Sequence, residues 1–344
     1  MKSFATLLLG FIAALLAILG FGFIPLADAK PIMITIPLHV TPGYVDIFSG
    51  AQKFADKINQ EGKGKVEVKL YPSETLYKVK DIIPALMNGS CEIIFHTSSH
   101  TTGSWPEIGG MALPFLFKND AETMERLKLG SDLSNILNKE MDRKYGVRIL
   151  AAGILPNIRM WTIKKKIEDP ADMKGLKLRA TGKPDAEAIH AWGGSPNFLS
   201  SGELFEALQR GTIDGLTSYP GTIYARNLDE VLQCGINMEP VFCAWGYQIY
   251  ILNKTLNSWP KDVQQLVINA AKEYDNHTLN FAFQFEKEKI LPRISKKITF
   301  VSPSPESMQK FERLALPTYD NWVKSVDKEW GKKFIETAKA PLKK

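Results

Sequence analysis

The sequence predicts an α/β protein with a largely parallel sheet, and three observations carry that expectation. Short β-branched runs recur along the chain at 31–38, 65–71, 91–95 and 147–151. Segments with apolar residues at helical spacing lie between them. Short polar loops follow the runs at 39–43, 71–77 and 96–100. Strands alternating with helices at this spacing imply βαβ units. In such sheets ligands bind beyond the carboxyl ends of the strands, which is where these loops fall.

Taken in order, 31–38 (PIMITIPL) reads as a first buried strand. Residues 46–60 place Phe48, Ala51, Phe54, Ala55 and Ile58 on one helical face. Residues 65–71 alternate as a strand, 80–88 form a short helix that Gly89 stops, and 91–95 form the next strand. Helices at 120–128 and 131–145 precede a strand at 147–151. Two strand-like runs then carry Arg159 and Arg179, and a helix-like segment at 200–211 leads into Ile213-Asp214-Gly215. Residues 244–253 form a long apolar strand able to cross between two domains. Pro260 begins a helix that runs on toward 288, with proline in its first turn. A late strand at 296–301, an amphipathic aromatic stretch at 307–326 and a basic tail complete the chain.

The first residues bear on location. Lys2 is followed by an uncharged apolar run from Phe4 to Leu26 and by Ala27-Asp28-Ala29, a small-x-small cleavage pattern. The expectation is a signal peptide at 1–29, removed to leave a mature chain from Lys30 in the periplasm. The competing reading is a retained anchor, since the run is close to spanning length. The remaining 315 or so residues allow about two domains. The formal net charge is +6, with basic residues scattered rather than striped, so nucleic acid is not expected as a partner. The three cysteines are Cys91, Cys234 and Cys243. Two readings stand for them: three buried thiols, or a Cys234–Cys243 bridge that leaves one free.

Catalytic signatures are missing: no G-x-S-x-G, G-x-x-x-x-G-K-[ST] or G-x-G-x-x-G occurs, and the five histidines show no H-E-x-x-H spacing. No enzyme activity, cofactor or metal is expected. Asp214 reads as a turn residue and Glu206 as a solvated helix charge. Glu203 stays open between a charge near a helix N-terminus and a ligand contact. His96 and His100 stay open between ordinary loop polarity and ligand contact. The arginines stand apart, because a guanidinium matches a carboxylate with two parallel hydrogen bonds. Alternation puts Lys177, Arg179 and Thr181 on one strand face. Each arginine reads either as an anion clamp or as a strand arginine paired with a nearby acid, and for Arg159 the pairing is favoured.

Five motifs in this order carry a resemblance: Leu113-Pro114-Phe115-Leu116-Phe117, Asp169-Pro170-Ala171-Asp172-Met173-Lys174-Gly175-Leu176-Lys177-Leu178-Arg179, Trp192-Gly193-Gly194-Ser195-Pro196, Glu203-Leu204-Phe205-Glu206-Ala207-Leu208-Gln209, and Ile213-Asp214-Gly215. Over nearly the whole mature chain the sequence resembles the solute-binding proteins of tripartite ATP-independent periplasmic (TRAP) transporters, in the dicarboxylate-binding group. The resemblance implies a two-domain periplasmic binding protein fold with an interdomain cleft, a hinge and a long shared helix. It implies capture of a small organic acid and delivery to small and large membrane permease subunits driven by an ion gradient. The alternative is an exported receptor for a sensor or another class of importer. Arg179 then matches the family's carboxylate clamp and Arg159 a second arginine. Ser218 falls where many members have asparagine, with Tyr219 beside it. Glu203, His39, His96, Ser98, His100 and Tyr77 join the expected site, the last four on the opposite wall. That polar and aromatic wall suits a hydroxylated, keto or aromatic acid. The expected division is 30–153 with about 245–285 as one domain and 154–244 with about 286–330 as the other, 331–344 being the tail. The chain is expected as a monomer or a dimer.

Overall fold

The computed structural model describes residues 30–239, 241 and 246–342. The expected signal segment, Cys243, the first residues of the expected strand at 244–253, and Lys343-Lys344 lie outside the described residues.

Two α/β units face one another. In the first, β1 (Ile32–Pro37) and β2 (Val66–Tyr71) pair in parallel across the helix Val45–Glu61. That helix forms because Ile47, Ala51, Phe54, Ala55 and Ile58 recur on one face and bury against Ile34, Ile36, Val66 and Val68. A second sheet of this unit holds β3 (Ile93–Thr97) and β4 (Val147–Ala151). The other unit is one six-stranded sheet. It contains β5 (Arg159–Thr162), β6 (Lys177–Ala180), β7 (Ser195–Phe198), β8 (Gly215–Ser218), β9 (Cys234–Ile236) and β11 (Thr299–Val301), ordered β11-β9-β5-β8-β6-β7. Between β9 and β11 the chain returns to the first unit as β10 (Tyr247–Leu252), inserted between β3 and β4.

The expectation of a largely parallel sheet needs correction: the sheets are mixed. β10 is antiparallel to both β3 and β4, and β5 is antiparallel to both β8 and β9. Both are the first strands after the chain crosses from one unit to the other, so each enters its new sheet from the side of the crossing rather than through a βαβ return.

Where the two crossings pass each other the backbones nearly touch. Tyr247 N donates to Gly153 O at 2.9 Å. A Cβ on Gly246, whose φ is +114°, would lie 1.9 Å from Gly153 O, and one on Gly153 would lie 2.1 Å from Tyr247 O. Only glycine fits either place. The expected shared helix is present as Lys261–Phe285. Its Val263, Val267, Ala270, Ala271 and Tyr274 pack in the first unit, while Phe285 reaches the second unit's core around Trp161 and Leu216. It widens into a π-helical turn, Glu286–Ile290, before Leu291–Ile294. Pro292, which lacks an N–H for a regular helical bond, follows this turn.

The C-terminal segment departs from expectation. The stretch at 307–326 is two helices, Pro305–Ala315 and Pro317–Ser325, separated at Pro317. Phe311 packs in the second unit, whereas Trp322 joins the first unit's core beside Trp105 and Ile108. The boundary drawn at 330 therefore does not follow the packing. Nor is 331–344 a tail throughout: Lys328–Lys339 is a helix that buries Phe334 and Ala338 in the same core. Among the described residues no helix is long and apolar enough to cross a membrane. Cys91 and Cys234 are free and buried.

Candidate functional site

The carboxyl ends of four strands converge where the units meet. From the first unit come His39, after β1, and Ser98 and His100, after β3. From the second come Arg179 at the end of β6, and Ser218 and Tyr219 at the end of β8. All six line one cavity. Thr97, Thr181 and Thr222 add hydroxyls, and Val40, Ile47, Leu155 and Ile158 add apolar wall.

Arg179 is the chemical centre. It is 2% exposed, and among the described residues no carboxylate lies within ion-pair distance of it. Its Nε donates to Leu199 O at 3.0 Å and Nη1 to Thr217 O at 3.3 Å, while Nη2 meets His100 Nε2 at 3.4 Å. A guanidinium carries five N–H donors. Three are engaged, which leaves one on each terminal nitrogen, the two-pronged edge a carboxylate takes. Burial lowers the arginine's pKa, opposed by the nearby charge of Asp185.

Asp185 escaped the sequence reading. Its Oδ2 accepts from Thr181 N (2.6 Å), Thr181 Oγ1 (2.9 Å) and Thr217 Oγ1 (2.8 Å), and its Oδ1 from Gly182 N (2.7 Å). It ties the ends of β6 and β8 together beneath Arg179. The sequence signal was available: an acid three residues after Gly182, at the start of a helix.

On the opposite wall, His39, His96 and His100 pack ring against ring. Burial holds them neutral at pH 7: it lowers the His96 pKa to about 4, with a backbone hydrogen bond to Val79 pulling the other way. It drives His39 and His100 well below the ordinary value. Beneath Tyr219 lies Asp46, whose pKa burial raises to about 7. Burial, then Asp46, pushes the Tyr219 phenol up.

The units touch around the cavity. Lys183 N donates to Thr102 Oγ1 at 3.2 Å. Arg226 donates to Tyr44 Oη at 3.2 Å and to Ser201 Oγ at 3.1 Å, with its guanidinium 5.3 Å from the Tyr44 ring centre.

Four expected site residues lie elsewhere. Arg159 does not line the cavity; its Nη2 is 2.9 Å from Glu286 Oε1 and its guanidinium stacks on Phe300. Its acid partner is 127 residues away, so sequence spacing gave no sign of it. Tyr77 packs against the first unit's core, with its hydroxyl 3.5 Å from Ser90 O. Glu203 lies on an outer cleft, where Ser200 N and Oγ donate to it at 2.8 and 2.7 Å and lower its pKa. His96 sits behind His39 and His100 rather than on the cavity lining. Asp214 is a turn residue, accepting from Lys177 N at 2.8 Å, and Glu206 pairs with Arg210 at the surface.

Comparison with known proteins follows the same lines. A family model described as bacterial extracellular solute-binding protein, family 7 (DctP), matches residues 39–325. The C4-dicarboxylate-binding periplasmic protein DctP of Rhodobacter capsulatus is 24% identical over 312 residues, covering 88% of this chain and 90% of its own length. The 2,3-diketo-L-gulonate-binding periplasmic protein YiaO of Escherichia coli is 25% identical over 231 residues, 66% of this chain and 68% of its own. A TRAP periplasmic solute-binding protein from Haemophilus influenzae with bound L-gulonate superposes with a TM-score of 0.78 at 25% identity, covering 89% of this chain and 98% of that one. One from Shewanella oneidensis with bound succinate shares the fold, with a TM-score of 0.79 at 22% identity over 90% of this chain and 100% of its own.

Proposed function

Because the chain belongs to family 7 of the bacterial extracellular solute-binding proteins, we propose that it captures a small organic acid in the periplasm by its carboxylate and hands it to a TRAP permease pair. Binding, not conversion, is its task. The observation that carries this reading is the buried, acid-free Arg179 at the junction of the two units, with two N–H donors left over. An isolated buried charge is costly, and an incoming carboxylate removes that cost. The polar wall opposite, made of imidazoles and hydroxyls, suits a hydroxy or keto acid better than a plain hydrocarbon chain.

Coupling to closure follows from geometry. Arg179 belongs to one unit, and His39, Ser98 and His100 to the other. A carboxylate held by Arg179 reaches the second wall only when the units close, so ligand shifts the population toward the closed form. Closure also excludes water, which strengthens the ion pair. Gly153 and Gly246 sit at the crossings that absorb this motion. Delivery requires that the permease prefer the closed, loaded form.

The test is a thermal-shift screen of the mature protein against dicarboxylates, 2-keto acids, sugar acids and aromatic acids, each beside its amide. Ligand that binds only the native state raises the melting temperature in step with its affinity. A shift with an acid and none with its amide supports the reading. Equal shifts for acid and amide reject the carboxylate clamp. A protein that responds to no acid, with none released on denaturation and detected by mass spectrometry, rejects acid capture.

A further inference from the structure

Three histidines, His39 after β1, His96 within β3 and His100 in the helical turn after β3, meet on one side of the cavity. One ring nitrogen from each lies within 4.8 Å of the other two. The rings are inclined to one another by 55 to 68°, with centroids 5.2 to 5.9 Å apart. Buried polar atoms ordinarily find hydrogen-bond partners. Here Nδ1 of His96 and Nδ1 of His100 are buried with none. His39 is braced from outside the cluster, with Nε2 3.2 Å from Thr97 Oγ1 and Nδ1 3.5 Å from Tyr247 Oη. A metal would take one of these two nitrogens in place of its hydroxyl and leave the other contact, the kind that commonly orients a metal-ligating histidine. Three apolar side chains would fill the same space without leaving nitrogens unpaired.

We infer that His39, His96 and His100 form a three-imidazole site for a divalent transition metal of the zinc class, with Nδ1 of His96 and Nδ1 of His100 among its ligands. Imidazole nitrogen selects such metals over calcium or magnesium, which take oxygen. A tetrahedral site with metal–nitrogen bonds of about 2.0–2.1 Å places its nitrogens about 3.3 Å apart. Nitrogens already within 4.8 Å reach that spacing by ring rotations of modest size. Arg179 Nη2 lies 3.4 Å from His100 Nε2, so a metal on Nδ1 and the guanidinium at Nε2 would stand on either side of one ring as like charges. An anion held at the guanidinium offsets the repulsion. This deepens the proposed function and rests on it: metal on His100 Nδ1 fixes the proton on Nε2, and the cargo carboxylate accepts from that N–H and from Arg179 together. By linkage, metal and acid each tighten the other by the same factor.

The experiment uses untagged mature protein, refolded to remove bound acids and stripped with a chelator. Co²⁺ and then Zn²⁺ alone are titrated, read by calorimetry and by the visible absorption of Co²⁺. The expected result is one metal per chain with the strong absorption of a four-coordinate site, weakened at least tenfold in His96→Gln and His100→Gln. His277→Ala, a histidine outside the cavity, keeps the site. Circular dichroism verifies that each variant folds. If either glutamine variant unfolds, competition of Zn²⁺ with diethylpyrocarbonate labelling of wild-type His39, His96 and His100 reads the same site. No saturable binding, or binding that survives both glutamine variants, overturns the metal site. Acid binding that persists unchanged in chelator would overturn it too while leaving acid capture intact. Metal binding without any acid binding would sink acid capture instead.

Discussion

Arg179→Lys separates a shaped carboxylate clamp from a mere positive charge. The native guanidinium is anchored through Nε and Nη1 to the carbonyls of Leu199 and Thr217, at 3.0 and 3.3 Å. It therefore presents one N–H from each terminal nitrogen toward the cavity, the geometry for a bidentate carboxylate. Lysine keeps the charge but offers a single ammonium on a flexible stem, without the two anchoring bonds. At best it replaces one of the two ligand hydrogen bonds. A hydrogen bond to a charged group contributes about 1.5–3 kcal/mol. Loss of one therefore weakens binding about 10- to 150-fold. Arg179→Ala, which also removes the charge, falls further. Calorimetric titration with an acid identified by thermal shift gives the affinities, and unchanged circular dichroism excludes misfolding. An Arg179→Lys affinity within threefold of wild type would refute the bidentate clamp.

Three further outcomes follow from the geometry. A Cβ on Gly182 of the second unit would lie 2.5 Å from Ser99 O of the first; Gly182→Ala should therefore hinder closure, weakening acid binding at least tenfold and abolishing ligand-induced compaction in solution scattering, with the unliganded melting temperature unchanged. Arg159→Met leaves Glu286 buried without its partner, which should cost about 3 kcal/mol of stability in denaturant melts while acid affinity stays within threefold; a collapse of affinity at unchanged stability would put Arg159 back in the site. Asp46 holds its proton to about pH 7 when folded, against 3.8 ordinarily, so between about pH 4 and 7 the native state binds the extra proton and this group's contribution to stability falls as pH rises. The melting temperature of Asp46→Asn should gain on wild type from pH 4.5 to 8, and a constant or shrinking difference would contradict the buried acid.

Much of the fold was legible because short-range pattern determines it. The runs that became β1 to β4 were readable from β-branched residues, and the helix Val45–Glu61 from its apolar spacing. Strand direction was not legible, because β5 and β10 take theirs from crossings between units, which no local residue encodes. The site divides the same way. The loops that bring His39 and His100 to the cavity were legible because ligands gather at carboxyl ends of strands, whereas Arg179 was singled out by guanidinium chemistry and, like Ser218 and Tyr219, by the family resemblance. For Arg159 an acid partner was favoured from the residues alone, and the family resemblance then put it in the site; the partner itself, 127 residues later, was not legible. The C-terminal helix was misread as a tail because four lysines between 328 and 339 mask its buried Phe334 and Ala338.

The contrast between the two arginines explains how one of them is kept available to an anion. Arg159 is met by Glu286, and that acid already pairs its charge. Arg179 also has an acid nearby, Asp185, yet the chain withholds it. All four of its hydrogen bonds come from Thr181, Gly182 and Thr217, so both carboxylate oxygens are occupied and turned away from the guanidinium. The neighbouring negative charge still favours the charged arginine, while neutral carbonyls fix its orientation. Neutral acceptors hold the arginine more weakly than a carboxylate would. The incoming acid therefore gains the difference, and the wall of neutral imidazoles adds no competing charge.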